Sequence, residues 1–196
     1  MAVGPYVGRR LILRDSVDNA EIRAFAEAEG WAYQGDIARD PASHAFYEAK
    51  WSLPGGLSAH YVADEFIDAR YLVVTGDDDT RVQAASARVE AALDVRSVDE
   101  LEADLDVRAD PFERARSVLL LGAGSPKRAV DSVVTRVLAA VRHRDARVRR
   151  AAVQAMVYAE WPEYREPLAD LLTQETDPEV ARQAGIALRV LEEGHE

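Results

Sequence analysis

The chain of 196 residues contains no cysteine. This excludes disulfides and thiolate chemistry and fits a reducing compartment. Long apolar runs are missing as well. The opening "MAVGPYVGRRLILRDS" places only Leu11, Ile12 and Leu13 together before a charge, too few for the apolar centre of a signal peptide. No stretch approaches the ~18 apolar residues of a membrane span, so the expectation is a cytoplasmic protein that does not enter a membrane. Phosphate-binding glycine loops are absent: Gly4, Gly8, Gly55, Gly56, Gly122 and Gly124 fit neither GxGxxG nor a loop ending in GK[ST]. Histidine is scarce too, and His44 and His60 in the front half sit in no HExxH or nucleophile–base pattern. No catalytic residue, cofactor or metal ion is therefore assigned.

What is present reads as a folded protein. Apolar residues make up 48% and charged residues 30%, a balance that supports a core rather than disorder. The net charge of −11 is unevenly spread. Residues 1–109 hold 11 Lys and Arg against 21 Asp and Glu, whereas residues 110–196 hold 13 against 14. An acidic front half does not wrap nucleic acid, since phosphate affinity comes from cations. It suits solubility or a basic protein partner.

The front half predicts a small α+β domain over residues 1–95. "RRLILRDS" (9–16) reads as a strand. "DNAEIRAFAEAEG" (18–30) reads as a helix capped by Asp18, with an Ile22, Phe25, Ala26 stripe and Gly30 as its stop. "WAYQGDIA" is a further strand candidate. Residues 45–53, 57–64 and 69–76 are rich in aromatic or β-branched residues and read as strands, the first two joined by the Pro54-Gly55-Gly56 turn. A helix follows over 77–95. The predicted arrangement is a small antiparallel sheet with helices on one face. Asp77, Asp78 and Asp79 lack the spacing of a calcium loop and read as a helix start. Trp31, Tyr33, Trp51 and Tyr61 are expected in the core.

Residues 96–109 read as a charged connector, within which Ser97 and Glu100 form a capping-box pattern. From Asp110 the chain repeats itself. "DPFERARSVLLL" begins at Asp110, "DARVRRAAVQAM" at Asp145 and "DPEVARQAGIAL" at Asp177, with spacings of 35 and 32 residues. Periods of this size mark stacked helical repeats. Five helices are predicted, near 112–121, 126–142, 145–159, 162–174 and 177–192. Pro167 is expected to kink the fourth or delay its start. The second carries a stripe of Val130, Val133, Val134, Val137, Leu138 and Val141.

The latter two segments resemble the bacterial HEAT-like repeat, Asp-x-x-Val-Arg-x-x-Ala-x-x-Ala-Leu. Asp145, Val148, Arg149, Ala152, Ala155 and Met156 match in one copy, and Asp177, Val180, Ala184, Ala187 and Leu188 in the next. Ala181 departs where the pattern has Arg, and Glu113 departs where the first copy would have Val. The resemblance covers residues 110–193 and implies a helical-repeat solenoid over 110–196 that binds macromolecules. It also implies a structural contact from Arg149 to a neighbouring repeat.

Five arginines fall within residues 142–150. Helical spacing places Arg147, Arg150, Gln154 and Tyr158 on one flank of the third helix, outside its core stripe. Cations in a first turn face the positive pole of the helix, so helix design does not explain Arg147 and Arg150. Two readings are open: a binding surface for carboxylates or phosphates, or a solvated face that pairs with the acidic domain. The functional expectation is a non-catalytic protein–protein adaptor using these four residues. The alternatives are a nucleic-acid-binding protein similar to HEAT-like DNA-repair enzymes, or an immunity-type neutraliser of a basic partner. Bilin lyases share the repeat, but no residue here identifies a bilin site.

Overall fold

A computed structural model describes residues 6–42 and 45–193. The protein is an α+β protein that divides into two compact units, one up to Arg96 and one from Ser97.

The first unit is an antiparallel sheet with helices. Its elements are β1 (Tyr6–Val7), β2 (Leu11–Ile12), α1 (Asn19–Ala28), β3 (Ala32–Ile37), β4 (Tyr47–Leu53), β5 (Leu57–Asp64), β6 (Ala69–Gly76) and α2 (Asp79–Ala92). The strand order is β1-β6-β5-β4-β3, with β2 also paired to β6. Alternation decides which side is core. Ala49, Trp51 and Leu53 of β4, Leu57, Ala59 and Tyr61 of β5, and Leu72 and Val74 of β6 are buried in one cluster. Ile22 and Ala26 of α1 and Val82 and Val89 of α2 complete that cluster. The hairpin register runs Leu53 opposite Leu57. The intervening Gly55 and Gly56 take φ of 82° and 79°, a region that glycine enters without strain.

Two expectations for this unit need correction. The 9–16 strand shrinks to Leu11–Ile12 plus a single bridge from Leu13 to Val95. Tyr33 is not in the core: it is 46% exposed, with the Arg23 guanidinium 4.7 Å from its ring centre. Strand β3 has a register shift between Tyr33 and Gly35, and its side chains are mostly exposed. Its two-sided polarity offered no alternation from which the sequence could place Tyr33.

The second unit is all helix: α3 (Val98–Val107), α4 (Pro111–Ala123), α5 (Asp131–Val141), α6 (Ala146–Ala159), a 3-10 turn (Pro162–Tyr164), α7 (Arg165–Gln174) and α8 (Pro178–Glu193). The 96–109 stretch carries α3, with the full capping box of Ser97 and Glu100. Helices α4, α6 and α8 lie side by side, and α3, α5 and α7 each pack against the helix that follows. Gly122 makes the closest approach possible, because a Cβ built there would stand 2.4 Å from the Cα of Ala155. Small residues at this crossing let α4 and α6 meet backbone to backbone.

The second predicted helix starts later than its pattern suggests, at Asp131 rather than 126. The carbonyl of Pro126 accepts the Trp161 indole N–H at 2.9 Å and so serves a tertiary contact instead of a helical turn. Val130 accordingly precedes the helix and is 38% exposed, whereas Val133 and Val137 are buried. Pro167 falls in the first turn of α7, where its missing N–H costs nothing, and the 3-10 turn absorbs the delayed start. Among the described residues no helix is long and apolar enough to cross a membrane.

Candidate functional site

The arginine-rich segment begins with a capped helix. The Asp145 carboxylate accepts the Arg147 backbone N–H at 2.9 Å. The Arg147 side chain then folds back on the same group, its Nε and Nη2 donating at 3.0 and 2.7 Å. The first-turn cation is thus neutralised by the residue that caps its helix. These bonds hold the Asp145 carboxyl well below the usual carboxylate range, the Arg147 side chain first and its backbone N–H second.

Arg149 is committed differently. Its Nε and Nη2 bind the two oxygens of Glu175 at 2.8 and 2.9 Å. Its Nη1 donates to the carbonyls of His143 and Arg144 at 2.9 and 3.1 Å. One forked guanidinium therefore ties the α5–α6 loop to the α7–α8 loop. The pair is sheltered, with side chains 15% and 5% exposed. Arg149 holds the Glu175 carboxyl below its ordinary value.

The loops share a finer rule that the sequence comparison missed. The residue two before the capping Asp accepts that aspartate's backbone N–H: His143 Nδ1 does so for Asp145 at 3.1 Å, and Glu175 Oε1 for Asp177 at 2.8 Å. The first copy also keeps the arginine four residues after its aspartate. Arg114 donates to the Arg108 carbonyl at 3.0 Å, the same six-residue backward reach that Arg149 makes to His143.

Of the four residues singled out on α6, Arg147 is exposed, while Arg150, Gln154 and Tyr158 are half-buried. At ~3.6 residues per turn they share one arc. The charge of Arg150 reaches Glu179 at the start of α8, where it helps lower that carboxyl; the main cause there is the Arg182 side chain. Phe112 begins α4 and is 63% exposed, and Ile186 and Val190 on α8 are 40% and 43% exposed. Repeat spacing puts Phe112 at the position equivalent to Arg147, and Ile186 and Val190 at those equivalent to Gln154 and Tyr158. Both helices that pack against α6 thus expose apolar side chains.

A cleft of about 560 Å³ opens elsewhere in this unit, among the end of α5, the α5–α6 loop, α7 and the α7–α8 loop. Leu138, Val141, Pro167 and Leu171, all buried or half-buried, supply the apolar part of a lining that is otherwise mostly polar. Arg142 and Arg144 stand on one element, Glu166 and Asp170 on another, and all four are exposed. Arg149 and Glu175 line it too, as the clamp already described. Nothing in the sequence signalled this cleft, because its parts come from segments some 30 residues apart.

In the first unit, Trp31, Trp51 and Tyr61 are core residues. His60 lies on the opposite face of the sheet, with Glu48 Oε1 at 2.6 Å from Nδ1 and Thr75 Oγ1 at 3.2 Å from Nε2. These are cross-strand partners on β4, β5 and β6. His44 lies outside the described residues. Asp78 caps α2 by accepting the Arg81 backbone N–H at 3.1 Å. Among the described residues no group of three His, Asp or Glu side chains is placed to hold a metal ion. Comparison with protein-family models, curated proteins and solved structures finds no match to this chain.

Proposed function

We propose that the protein is a non-catalytic, cytoplasmic adaptor that binds a protein partner through a short solenoid of HEAT-like helix pairs. Three features support the repeat reading. Each copy opens on a capping aspartate, Asp110, Asp145 or Asp177. Arginines at the fourth position of the first two copies reach back to the preceding loop. Small residues lie where α4 crosses α6.

The observation that carries the binding reading is the face centred on α6. Arg150, Gln154 and Tyr158 are half-buried on α6, and the two helices packed against it, α4 and α8, expose Phe112 and Ile186 with Val190. Arginine and aromatic residues set among apolar neighbours are the composition of a protein interface core. A phosphate backbone is a poorer fit. Arg147 is already neutralised by Asp145, Arg182 by Glu179, and the whole chain carries −11. The partner surface that fits is an apolar anchor beside a carboxylate for Arg150.

A photo-crosslinking residue in place of Gln154 tests this in the source cell. One protein should be crosslinked, and Arg150→Ala with Tyr158→Ala should abolish the product. Crosslinking to no specific protein would overturn the proposal. So would salt-sensitive binding of duplex DNA that is lost in Arg147→Ala with Arg150→Ala.

A further inference from the structure

The cleft beside the loops stands apart from the α6 face. Its outer charges are uncommitted: Arg142, Arg144, Glu166 and Asp170 have no side-chain partner among the described residues. Its inner part is fixed, because Arg149 spends its donors on Glu175 and on two loop carbonyls. The site is therefore held in shape before any ligand arrives, which lowers the ordering cost of binding.

The charge arrangement selects the ligand. The two cations come from the end of α5 and its loop, the two carboxylates from successive turns of α7. A phosphate or nucleic acid drawn to Arg142 and Arg144 would meet Glu166 and Asp170 across the cleft. A purely basic ligand meets the reverse problem. A free amino acid with an uncharged side chain carries both charged groups on its α-carbon, too close together to pair with two separate elements at once. A volume of about 560 Å³ suits a larger ligand. A peptide with an acidic residue, an apolar stretch and a basic residue complements the cations, the apolar side chains and the carboxylates of the lining.

We propose that this cleft is a binding site for a short peptide segment of mixed charge. Its acidic side chain pairs with Arg142 and Arg144, its apolar side chains cover Leu138, Val141, Pro167 and Leu171, and its basic side chain pairs with Glu166 and Asp170.

Fluorescence polarisation with the full chain and three labelled peptides, capped at both ends, tests it: Glu-Leu-Leu-Lys, Glu-Leu-Leu-Glu and Lys-Leu-Leu-Lys. The mixed peptide should bind about tenfold more tightly than either of the others. Arg144→Glu should make Lys-Leu-Leu-Lys the best ligand, and Asp170→Lys should make Glu-Leu-Leu-Glu the best. Both side chains are exposed, and an unchanged melting curve for each variant checks the fold. Arg150→Ala with Tyr158→Ala should leave all three affinities unchanged, which separates this site from the α6 face. Failure of the mixed peptide to bind would overturn the proposal, as would equal binding of all three or no switch of preference in either variant.

Discussion

The helix starts at Asp145 and Asp177 are two versions of one device, and they handle charge in opposite ways. Asp177 accepts two backbone N–H groups, those of Glu179 and Val180, at 3.0 and 3.1 Å. Its first turn then carries Glu179, which the helix dipole favours and which pairs with Arg182. Asp145 accepts the N–H of Arg147 and its guanidinium as well, so the cap doubles as counter-ion to a cation the dipole disfavours. The copies differ again four residues after the aspartate, where Arg149 clamps two loops and Ala181 clamps nothing. The two segments thus share a capping aspartate and a buried stripe while each settles its own electrostatics.

Removing the clamp should have the largest effect. Arg149→Ala leaves Glu175, only 5% exposed, as a buried carboxylate without its cation. We expect a loss of about 3 kcal/mol by urea unfolding. The pH dependence has a defined sign. Glu175 titrates below its unfolded value of ~4.3, so the clamp's contribution is present above that pH and disappears as pH falls through the lower folded value. A Glu175→Gln variant should lose that acid-side decline. A decline of undiminished size would mean that other carboxylates cause it.

Next come two glycines that look alike in sequence. Gly122→Ala drives a methyl into the Ala155 backbone and should cost about 1–3 kcal/mol. Gly185→Ala meets the Cδ1 tip of Leu172 at 3.2 Å and the flexible end of Arg189 at 4.0 Å, and it gains helix propensity, so it should be neutral or stabilising by up to ~1 kcal/mol. Melting both variants beside the wild type checks the contrast. Equal losses would mean that the two crossings are equally tight.

The smallest effect separates the caps themselves. Asp145→Ala should lower the melting temperature more than Asp177→Ala, since it strands Arg147 at the positive end of α6. Adding Arg147→Ala should recover part of the loss. A double variant no more stable than Asp145→Ala would show that the ion pair contributes nothing.

Much of the fold is legible where a feature is local. The bounds of β5 and β6 follow from composition, and the caps at Asp18, Ser97 and Asp145 follow from residue type and position, whereas the Asp77-Asp78-Asp79 run marks a helix start without saying that Asp78 is the cap. Legibility fails where the partner is distant. The start of α5 depends on an indole 35 residues further on. The exposure of Tyr33 depends on an edge strand without alternation. The repeat pattern set Arg149 apart from Arg147 on the same helix, but it named neither Glu175 as the partner of the one nor Asp145 as the partner of the other. The peptide-sized cleft had no signal at all, because no segment contains enough of it.

Arg149 also says how this molecule could grow. It is one half of a fastener, and the other half is the glutamate two places before the next aspartate. A duplicated segment 145–176 would bring both halves with it. The original arginine would meet the original glutamate, and the new arginine the new one, so a further helix pair would be joined without inventing a contact. Ala181 breaks that grammar: a pair added after α8 would find no arginine waiting for its loop.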